Sequence, residues 1–257
     1  MIIMINGKFV SKSSAKVSVF SEAFMYGYGV FETLRTYKKE VFKPKEHVKR
    51  LFQSAKTLDL KVKHKEKEIW EMLKKIAKKS PHKNQRIKII AIPEATIITS
   101  IKQIEDPNIY EGVSTITINC SRAFPQAKTL SYLSSYLPHH EAAKKGYYEA
   151  ILTDKKGEIF EGAYSNIFWF EGTTLCTRQE EVLQGITAET VKKLSPYSVK
   201  NKTINIKNLL QKSEIFLTQT SRGIVPITKI NNEKIGSGKP GPKTKELIKL
   251  FDQLTNQ

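Results

Sequence analysis

The segment Pro125-Gln-Ala-Lys-Thr-Leu-Ser-Tyr-Leu133 contains the one lysine found between residues 103 and 143. The chain has 37 lysines among 257 residues, so about one position in seven is a lysine on average. Three further windows contain no lysine: residues 17–37, 157–191 and 213–228. Because an ammonium group is expensive to bury, lysine-poor windows are expected to form core strands or a shaped cleft. The single amine of Lys128 in such surroundings is a candidate Schiff-base or general-base group, and a surface lysine at the start of a helix is the alternative.

The composition is that of a chain with enough apolar material for a hydrophobic core. Hydrophobic residues make up 39% of the chain and aromatic residues 9%, which argues against intrinsic disorder and predicts one to two domains. No apolar run reaches the roughly 18 residues of a membrane span, and the N-terminus lacks the pattern of a signal peptide. Cys120 and Cys176 form neither a disulfide framework nor a spaced metal motif. A cytoplasmic protein without a metal site or a membrane partner is therefore expected.

The net charge of +18 raises the question of a nucleic-acid partner. Only six of the 43 basic residues are arginine, although arginine is the residue that reads base edges and phosphates in a bidentate manner. The lysines are scattered and mixed with glutamate, which is typical of a solvated surface. We therefore expect no nucleic-acid partner, and a basic nucleic-acid-binding module remains a distant alternative.

Hydrophobic periodicity predicts an α+β protein. Helical patterns cover residues 46–60, 66–79, 130–145, 186–194 and 243–254. Strand patterns cover residues 1–10, 29–37, 86–101 with a break at Pro93-Glu94, 113–119, 148–154, 158–160, 166–170, 173–177, 214–218 and 224–230. The polar, turn-rich segment 101–112 is a candidate linker. Because strands and helices are segregated rather than strictly alternating, an α+β fold is favoured over a doubly wound sheet.

Four sequence blocks coincide with the lysine-poor windows. They are Phe24-Met-Tyr-Gly-Tyr-Gly-Val-Phe-Glu-Thr-Leu-Arg35 followed by His47-Val-Lys-Arg50, then Pro125 to Leu133, then Glu161-Gly-Ala-Tyr-Ser-Asn166 followed by Gly185-Ile-Thr187, and last Thr220-Ser-Arg-Gly223. Together they resemble the fold-type IV pyridoxal 5'-phosphate (PLP) enzymes. That family includes D-amino acid, branched-chain and amine transaminases as well as aminodeoxychorismate lyases. The resemblance covers most of the chain, from about residue 20 to 250.

The resemblance implies a two-domain architecture. A small N-terminal α/β domain is expected over residues 1–112, and a larger cofactor-binding domain with a β-barrel-like core over residues 113–257. The connection is expected at about residues 102–124. By the same resemblance we expect the cofactor to lie between the domains, and we expect a homodimer in which a loop of the partner closes each site.

The resemblance also assigns cofactor-binding roles to individual residues. Lys128 matches the family's Schiff-base lysine, and Glu161 matches the carboxylate that faces the pyridine nitrogen. Arg50 matches the basic residue that holds the cofactor phosphate, and it is expected on a helix face away from the apolar stripe. Tyr132, four residues after Lys128, either contacts the cofactor or packs in the core.

Two turns are expected to complete the phosphate site. Ile186 and Thr187 open a short helix, whose N-terminal N–H groups suit a phosphate. Many relatives have arginine next, where this chain has Ala188. Thr220 and Ser221 are placed to supply further hydroxyl and amide donors.

The sequence indicates the substrate-binding residues less directly than the cofactor-binding residues. Arg35 and Arg222 are candidate partners for the substrate carboxylate, because a guanidinium fork suits that group. Tyr26 and Phe31, from the first block, are expected on the substrate side of the site. The Arg-x-His pair that binds the carboxylate in D-amino acid transaminases is missing from residues 87–99, which argues against a standard D-specific site.

The family leaves the reaction open between two chemistries. A transaminase moves an amino group between an amino acid and a 2-keto acid through pyridoxamine phosphate. The lyase releases pyruvate from aminodeoxychorismate and gives 4-aminobenzoate. The block Phe31-Glu-Thr-Leu-Arg35 resembles amine transaminase and lyase forms, and the chain is closer to lyase length. We expect a transaminase, with the lyase as the alternative.

Overall fold

A computed structural model describes residues 1–103 and 105–256. The described chain separates into two compact units. The first contains residues 1–103 together with the segment Ala127–Tyr132, and the second contains residues 105–126 and 133–255. Ile104, in the expected linker, lies outside the described residues. The division into folding domains at residue 112 remains a prediction.

The first unit is an antiparallel sheet covered by two helices. Its elements are β1 Ile2–Ile5, β2 Lys8–Val10, α1 Glu22–Tyr26, β3 Val30–Tyr37, β4 Glu40–Val41, α2 Pro44–Thr57, α3 Glu66–Lys79, β5 Gln85–Ala91 and β6 Thr96–Lys102. The strand order in the sheet is β2-β1-β6-β5-β3-β4. Each of α2 and α3 turns one apolar face toward the sheet, which is the pattern expected of a surface helix.

Alternation along β3 and β5 gives the sheet two faces, one of which the helices cover. Leu34 pairs with Ile87, and both are buried in the core that the helices cover. The next pair along the two strands, Arg35 and Arg86, lies on the other face, because successive side chains of a strand point in opposite directions. The first unit therefore has one sheet face on which charged side chains can be presented.

The second unit is a larger mixed sheet with helices. Its elements are a 3-10 helix Pro107–Glu111, β7 Val113–Asn119, α4 Leu133–Lys144, β8 Glu149–Thr153, β9 Ile159–Gly162, β10 Asn166–Glu171, β11 Thr174–Thr177, α5 Ile186–Leu194, β12 Ser198–Asn201, α6 Ile206–Leu209, β13 Ile215–Gln219, β14 Gly223–Ile230, β15 Glu233–Lys234 and α7 Pro242–Thr255. The strand order is β12-β11-β10-β13-β14-β7-β8-β9, and β15 pairs with β14.

This second sheet curls into a half-barrel. The edge strand β9 packs back against β10, although four strands separate them in the sheet order. The concave core contains Trp169, Ile215 and Val225, all fully buried. Both α5 and α7 pack against the β13–β14 hairpin. The start of α5 is thereby held beside the ends of the central strands.

Most predicted elements are confirmed. The helices over 66–79 and 186–194 and the strand over 113–119 have the predicted bounds. The segment 130–145 is only partly helical, since α4 begins at Leu133. Its apolar stripe does not face a core, because Leu133, Tyr136 and Leu137 are 67%, 49% and 56% exposed. In the described part of the chain, no helix is both long enough and apolar enough to cross a bilayer.

Candidate active site

The backbone of Lys128 is fastened to strand β3. The Lys128 carbonyl accepts a hydrogen bond from the N–H of Phe31 at 2.9 Å, and the N–H of Leu130 donates to the Gly29 carbonyl at 2.8 Å. Gly29 permits this approach, because a Cβ there would lie 2.6 Å from Leu130 Cδ1. On its other side, the Lys128 N–H donates to Ser54 Oγ of α2 at 3.0 Å. The position of this lysine is therefore fixed by both a strand and a helix.

The side chain of Lys128 lies beside two aromatic rings. Its Nζ is 4.6 Å from the centroid of the Phe31 ring and 5.8 Å from that of Tyr132. The two rings meet edge to face with their centroids 5.0 Å apart. Phe31 is buried, whereas Lys128 and Tyr132 are half-buried. The amine thus packs against two aromatic rings, while the lysine as a whole is only half-buried.

Arg50 belongs to a buried cluster with Glu32 and His47. The guanidinium donates from Nε to Glu32 Oε1 at 2.6 Å and from Nη2 to Glu32 Oε2 at 2.8 Å. His47 Nδ1 lies 2.8 Å from the same Oε2. The prediction that Arg50 lies on a face away from the apolar stripe is wrong. Arg50 is only 7% exposed, and it is drawn inward by the carboxylate that β3 places under the helix.

Electrostatics hold this cluster in one charge state. Burial alone would raise the pKa of Glu32, but the charge of Arg50 and the hydrogen bonds from Arg50 and His47 outweigh it and lower that pKa to about 2. Burial lowers the pKa of His47 below its usual value, although the bond to Glu32 opposes this. At neutral pH the carboxylate is ionised and the imidazole is neutral. Since a carboxylate only accepts, the His47 proton is on Nδ1.

The face of the first sheet opposite the helices carries Arg35, which the sequence predicted as a substrate-binding residue, and also Arg86 and Lys88, which it did not. Lys88 Nζ lies 4.5 Å from the Phe31 ring centroid, and burial together with the charge of Arg86 lowers the pKa of Lys88. Arg35 is buried, with its guanidinium carbon 4.2 Å from the ring centroid of Tyr37. Basic residues at alternate positions, Arg86 and Lys88, in a strand of isoleucines are the signal that could have revealed this face.

In the second unit, Glu161 is a buried carboxylate that accepts hydrogen bonds from Arg122, Asn166 and Leu183. Arg122 Nη1 donates to Oε1 at 2.5 Å, while Asn166 Nδ2 and the Leu183 N–H donate to Oε2 at 3.3 and 3.1 Å. A cavity of about 70 Å³ lies beside it, lined by Cys120, Ser121, Arg122, Pro125, Leu152, Phe160, Glu161 and Glu181. Sequence reasoning did not single out Arg122, whose partner is separated from it by 39 positions.

The N-terminus of α5 lies beside Asn166. Gly185 precedes the helix, and a Cβ at Gly185 would lie 2.0 Å from Asn166 Oδ1, which explains the glycine. No side chain of the described residues caps this helix, so its first N–H groups lack the usual partner. Ile186 is half-buried and Thr187 is buried.

The turn between β13 and β14 carries the fourth block. Thr220, Ser221 and Arg222 are all half-buried there, and the Ser221 hydroxyl bonds Gln219 Oε1 at 3.2 Å. In β13, directly opposite Asn166, the hydroxyl of Thr218 is buried without a hydrogen-bond partner among the described residues. Polar groups thus gather at the end of this hairpin.

The structure groups the predicted residues within each unit. Lys128, Tyr132 and Phe31 adjoin one another in the first unit. Glu161 is linked through Asn166 to the segment that leads into α5 in the second. Tyr26 is 73% exposed on the short helix α1, away from any core. Among residues 1–103 and 105–256, no three histidine, cysteine or acidic side chains are grouped as metal ligands.

Comparison with known proteins gives one family. Residues 29–230 match the model described as amino-transferase class IV. The chain is 31% identical to a putative branched-chain-amino-acid aminotransferase of Methanocaldococcus jannaschii, over 99% of this chain and 96% of that protein. It is 28% identical to a D-alanine aminotransferase of Bacillus licheniformis, over 96% and 94%.

Solved structures give the same result. A branched-chain amino acid aminotransferase of T.th., with pyridoxamine 5'-phosphate, superposes with a TM-score of 0.94. It shares 26% sequence identity with this chain, and the match covers 99% of this chain and 94% of that one. The expected α+β, fold-type IV architecture is confirmed by this likeness.

Proposed function

Because the chain belongs to the class IV aminotransferase family, we propose that Lys128 is its Schiff-base lysine and that Glu161 is the carboxylate for the pyridine nitrogen of its cofactor. The protein is a PLP-dependent aminotransferase that moves an amino group between an amino acid and a 2-keto acid. The observation that carries the residue assignment is the setting of Lys128, whose backbone is fastened on both sides and whose amine lies against Phe31 and Tyr132.

The residues present fit the cofactor. PLP offers an aldehyde, a pyridine nitrogen and a phosphate, and the chain offers an amine, a buried carboxylate and an uncapped helix N-terminus for these three groups. The unsatisfied hydroxyl of Thr218 supports a further polar group at the end of the β13–β14 hairpin. When bound, PLP supplies an electron sink for the charge that develops at the substrate carbon.

Two side chains carry the proton chemistry in this proposal. Lys128 would hold PLP through its amine, with loss of water from the aldehyde, and the same amine would carry the proton away from the substrate Cα. The carboxylate of Glu161 would lie at the pyridine nitrogen and favour its protonated form. Its ion pair with Arg122 and its bond from Asn166 support the assignment, because they hold the carboxylate in one orientation.

The phosphate site in this proposal combines one side chain with two turns. Arg50 supplies positive charge, and the N–H groups of Ile186 and Thr187 supply donors at the positive end of α5. Thr220 and Ser221 add hydroxyl and amide donors. The glycine at position 185, required by the nearness of Asn166, supports this use of the helix start.

Substrate recognition rests on positive charge and aromatic surface. Arg35 and Arg222 remain the proposed carboxylate partners, and Lys88 joins them because its ammonium shares the Phe31 ring with Lys128. Phe31 and Tyr26 provide apolar surface for the side chain of the amino acid. Strand β5 lacks the Arg-x-His pair of D-specific enzymes, which supports an L-amino acid donor.

We further propose a homodimer in the cytoplasm. The large apolar side chains that are exposed fall, with the exceptions of Met1 and Phe9, in two lysine-poor windows, residues 17–37 and 103–143. In a chain so rich in lysine, exposed apolar surface without lysine favours contact with a second copy. Cys120 and Cys176 are both free thiols, which suits a reducing compartment.

An amino-acid half-reaction tests the function. Purified holoenzyme is mixed with L- and D-amino acids, one at a time, without a keto acid. We expect the absorbance of the lysine-bound cofactor to convert to that of pyridoxamine phosphate with L-amino acids, and a Lys128→Ala control to show no conversion. No conversion with any amino acid, together with 4-aminobenzoate formed from aminodeoxychorismate, would identify the lyase instead.

A further inference from the structure

Three residues on one buried face of helix α2 make polar contacts outside the helix. His47, Arg50 and Ser54 are three and four positions apart, so they lie on the same side of the helix. His47 and Arg50 contact Glu32 of β3, and Ser54 Oγ accepts the hydrogen bond from the Lys128 N–H. All three side chains are buried, with exposed fractions of 1%, 7% and 1%. One helix face thus carries the arginine of the proposed cofactor site and contacts the lysine of that site.

Glu32 is out of place for a purely structural residue. It is fully buried and lies on the covered face of the sheet, where its neighbours in β3 are Val30 and Leu34. A carboxylate at such a position costs free energy unless it is paired and hydrogen-bonded, and an apolar pair of similar volume is often as stable. The sequence nevertheless places a carboxylate here and surrounds it with donors from α2.

The contact between Glu32 and Arg50 defines the plane of the guanidinium. Nε and Nη2 bond the two carboxylate oxygens in parallel, a bidentate geometry that fixes both the position and the rotation of the group. The Nδ1–H of His47 holds the carboxylate itself by donating to Oε2. A phosphate that approaches this arginine therefore meets a guanidinium whose orientation is already set.

We propose that Glu32 is a positioning residue for the cofactor phosphate, acting through Arg50, and that Ser54 on the same helix face positions Lys128. This inference rests on the proposed roles of Arg50 and Lys128. It adds that one helix sets the relative placement of the phosphate anchor and the Schiff-base amine. His47 assists by holding the carboxylate.

The test compares two cofactors that differ only in the phosphate. Apo-protein of full length is titrated with PLP and with pyridoxal, which lacks the phosphate, and binding is followed by absorbance. For Glu32→Gln we expect roughly tenfold weaker PLP binding, as for loss of one charge-assisted bond, and unchanged pyridoxal binding. For Ser54→Ala we expect slower bonding of Lys128 to both compounds by the same factor.

Two controls separate positioning from folding. Ser100→Ala removes a buried hydrogen bond of 2.7 Å to Gln85, between β6 and β5, whereas α2 packs on β3, and we expect it to lower the melting temperature without changing either affinity. His47→Asn keeps a donor near the position of Nδ1, and we expect it to retain most of the PLP affinity that His47→Leu loses. If Glu32→Gln does not fold, the comparison of His47→Asn with His47→Leu tests the positioning role of Glu32 instead.

The outcomes distinguish this inference from the proposed function. If Arg50→Met leaves PLP binding unchanged, the phosphate role of Arg50 is wrong. If Arg50→Met weakens PLP binding but Glu32→Gln and His47→Leu do not, the phosphate role stands and the positioning role of Glu32 is overturned. Equal loss of PLP and pyridoxal binding in Glu32→Gln would also overturn it, because the effect would then not pass through the phosphate.

Discussion

Ser54 and Arg122 contact the two proposed cofactor-binding residues, Lys128 and Glu161, across long separations in the chain. Depletion of lysine marked position 128, and the block around Glu161 marked the carboxylate. The partners Ser54 and Arg122 come from distant parts of the chain and were not foreseen. Hydrogen bonds between residues so far apart depend on the tertiary fold, about which a local pattern carries no information.

Glu161 should be required for catalysis more than for binding. We expect Glu161→Gln to lower the rate of the half-reaction by about 10²-fold or more, because a neutral amide does not keep the pyridine nitrogen protonated. The same variant should still bind PLP, since the phosphate donors are unchanged. Stopped-flow absorbance measures the rate and equilibrium titration measures the binding.

The matched control for that prediction is Glu158→Gln, in the same hairpin. Glu158 is partly exposed, forms an ion pair with Arg178 and is not one of the proposed cofactor-binding residues. An equal loss of rate in both variants would contradict a specific role for Glu161.

His47 should make stability depend on pH. Its pKa is lowered in the folded protein, where Glu32, Arg50 and Lys128 face it, so the unfolded chain takes up this proton first as the pH falls below about 6.5. The contribution of His47 to the free energy of unfolding is therefore present above pH 6.5 and is lost below it. The free energy of unfolding changes with pH by at most about 1.4 kcal/mol per pH unit for one proton. Urea unfolding between pH 8 and 5 measures it.

His47→Asn should remove this part of the slope. The other four histidines are the same in both proteins, so the difference between the two curves isolates His47. Parallel curves for the two proteins would show that His47 does not resist protonation in the fold.

At the scale of elements, long periodic segments were predictable and short or exposed ones were not. Helix α3 follows its predicted bounds, because five apolar residues recur on one face and become its buried side. Helices α1 and α6 were missed, because five and four residues are too few for a period to emerge. The spacing of apolar residues in α4 correctly predicted a helix but not the exposure of those residues. Apolar spacing does not say whether another part of the protein covers that face of the helix.

The start of α5 should be intolerant of a side chain. A Cβ at Gly185 would collide with Asn166 Oδ1, so we expect Gly185→Ala to displace the helix start and to weaken PLP binding by about tenfold or more. Gly146→Ala is the control, because Gly146 also resists substitution through its positive φ of 78° but has open space around its Cβ. We expect that control to lose stability and keep its PLP affinity. Equal affinity in both variants would contradict the phosphate role of α5.

At the scale of the whole molecule, the class IV architecture was foreseeable because four blocks recur in the family order along most of the chain. The expectation that lysine-poor windows are buried is wrong in part. Phe20, Phe24 and Tyr26, in one such window, are 87%, 69% and 73% exposed. The proposed second copy of the chain would account for both the exposure of these side chains and the lack of lysine, since a covered interface excludes lysine as a core does.

Interface variants should separate the copies. We expect Phe20→Asp and Leu133→Asp to convert a dimer into a monomer in light scattering, because each places a charge on a surface that the proposed partner covers. Phe9→Asp is the control, since Phe9 is 43% exposed and lies outside the lysine-poor windows. A wild-type monomer at micromolar concentration would contradict the homodimer.

The central claim is that the amine at position 128 carries the cofactor, and borohydride reduction tests it most directly. Reduction of the holoenzyme fixes PLP irreversibly to the amine that holds it, and peptide mass mapping then locates the label. We expect one label per chain, on the peptide that contains Lys128, and none in Lys128→Ala. A label on any other lysine, such as Lys88, or no label on a coloured protein would contradict the account.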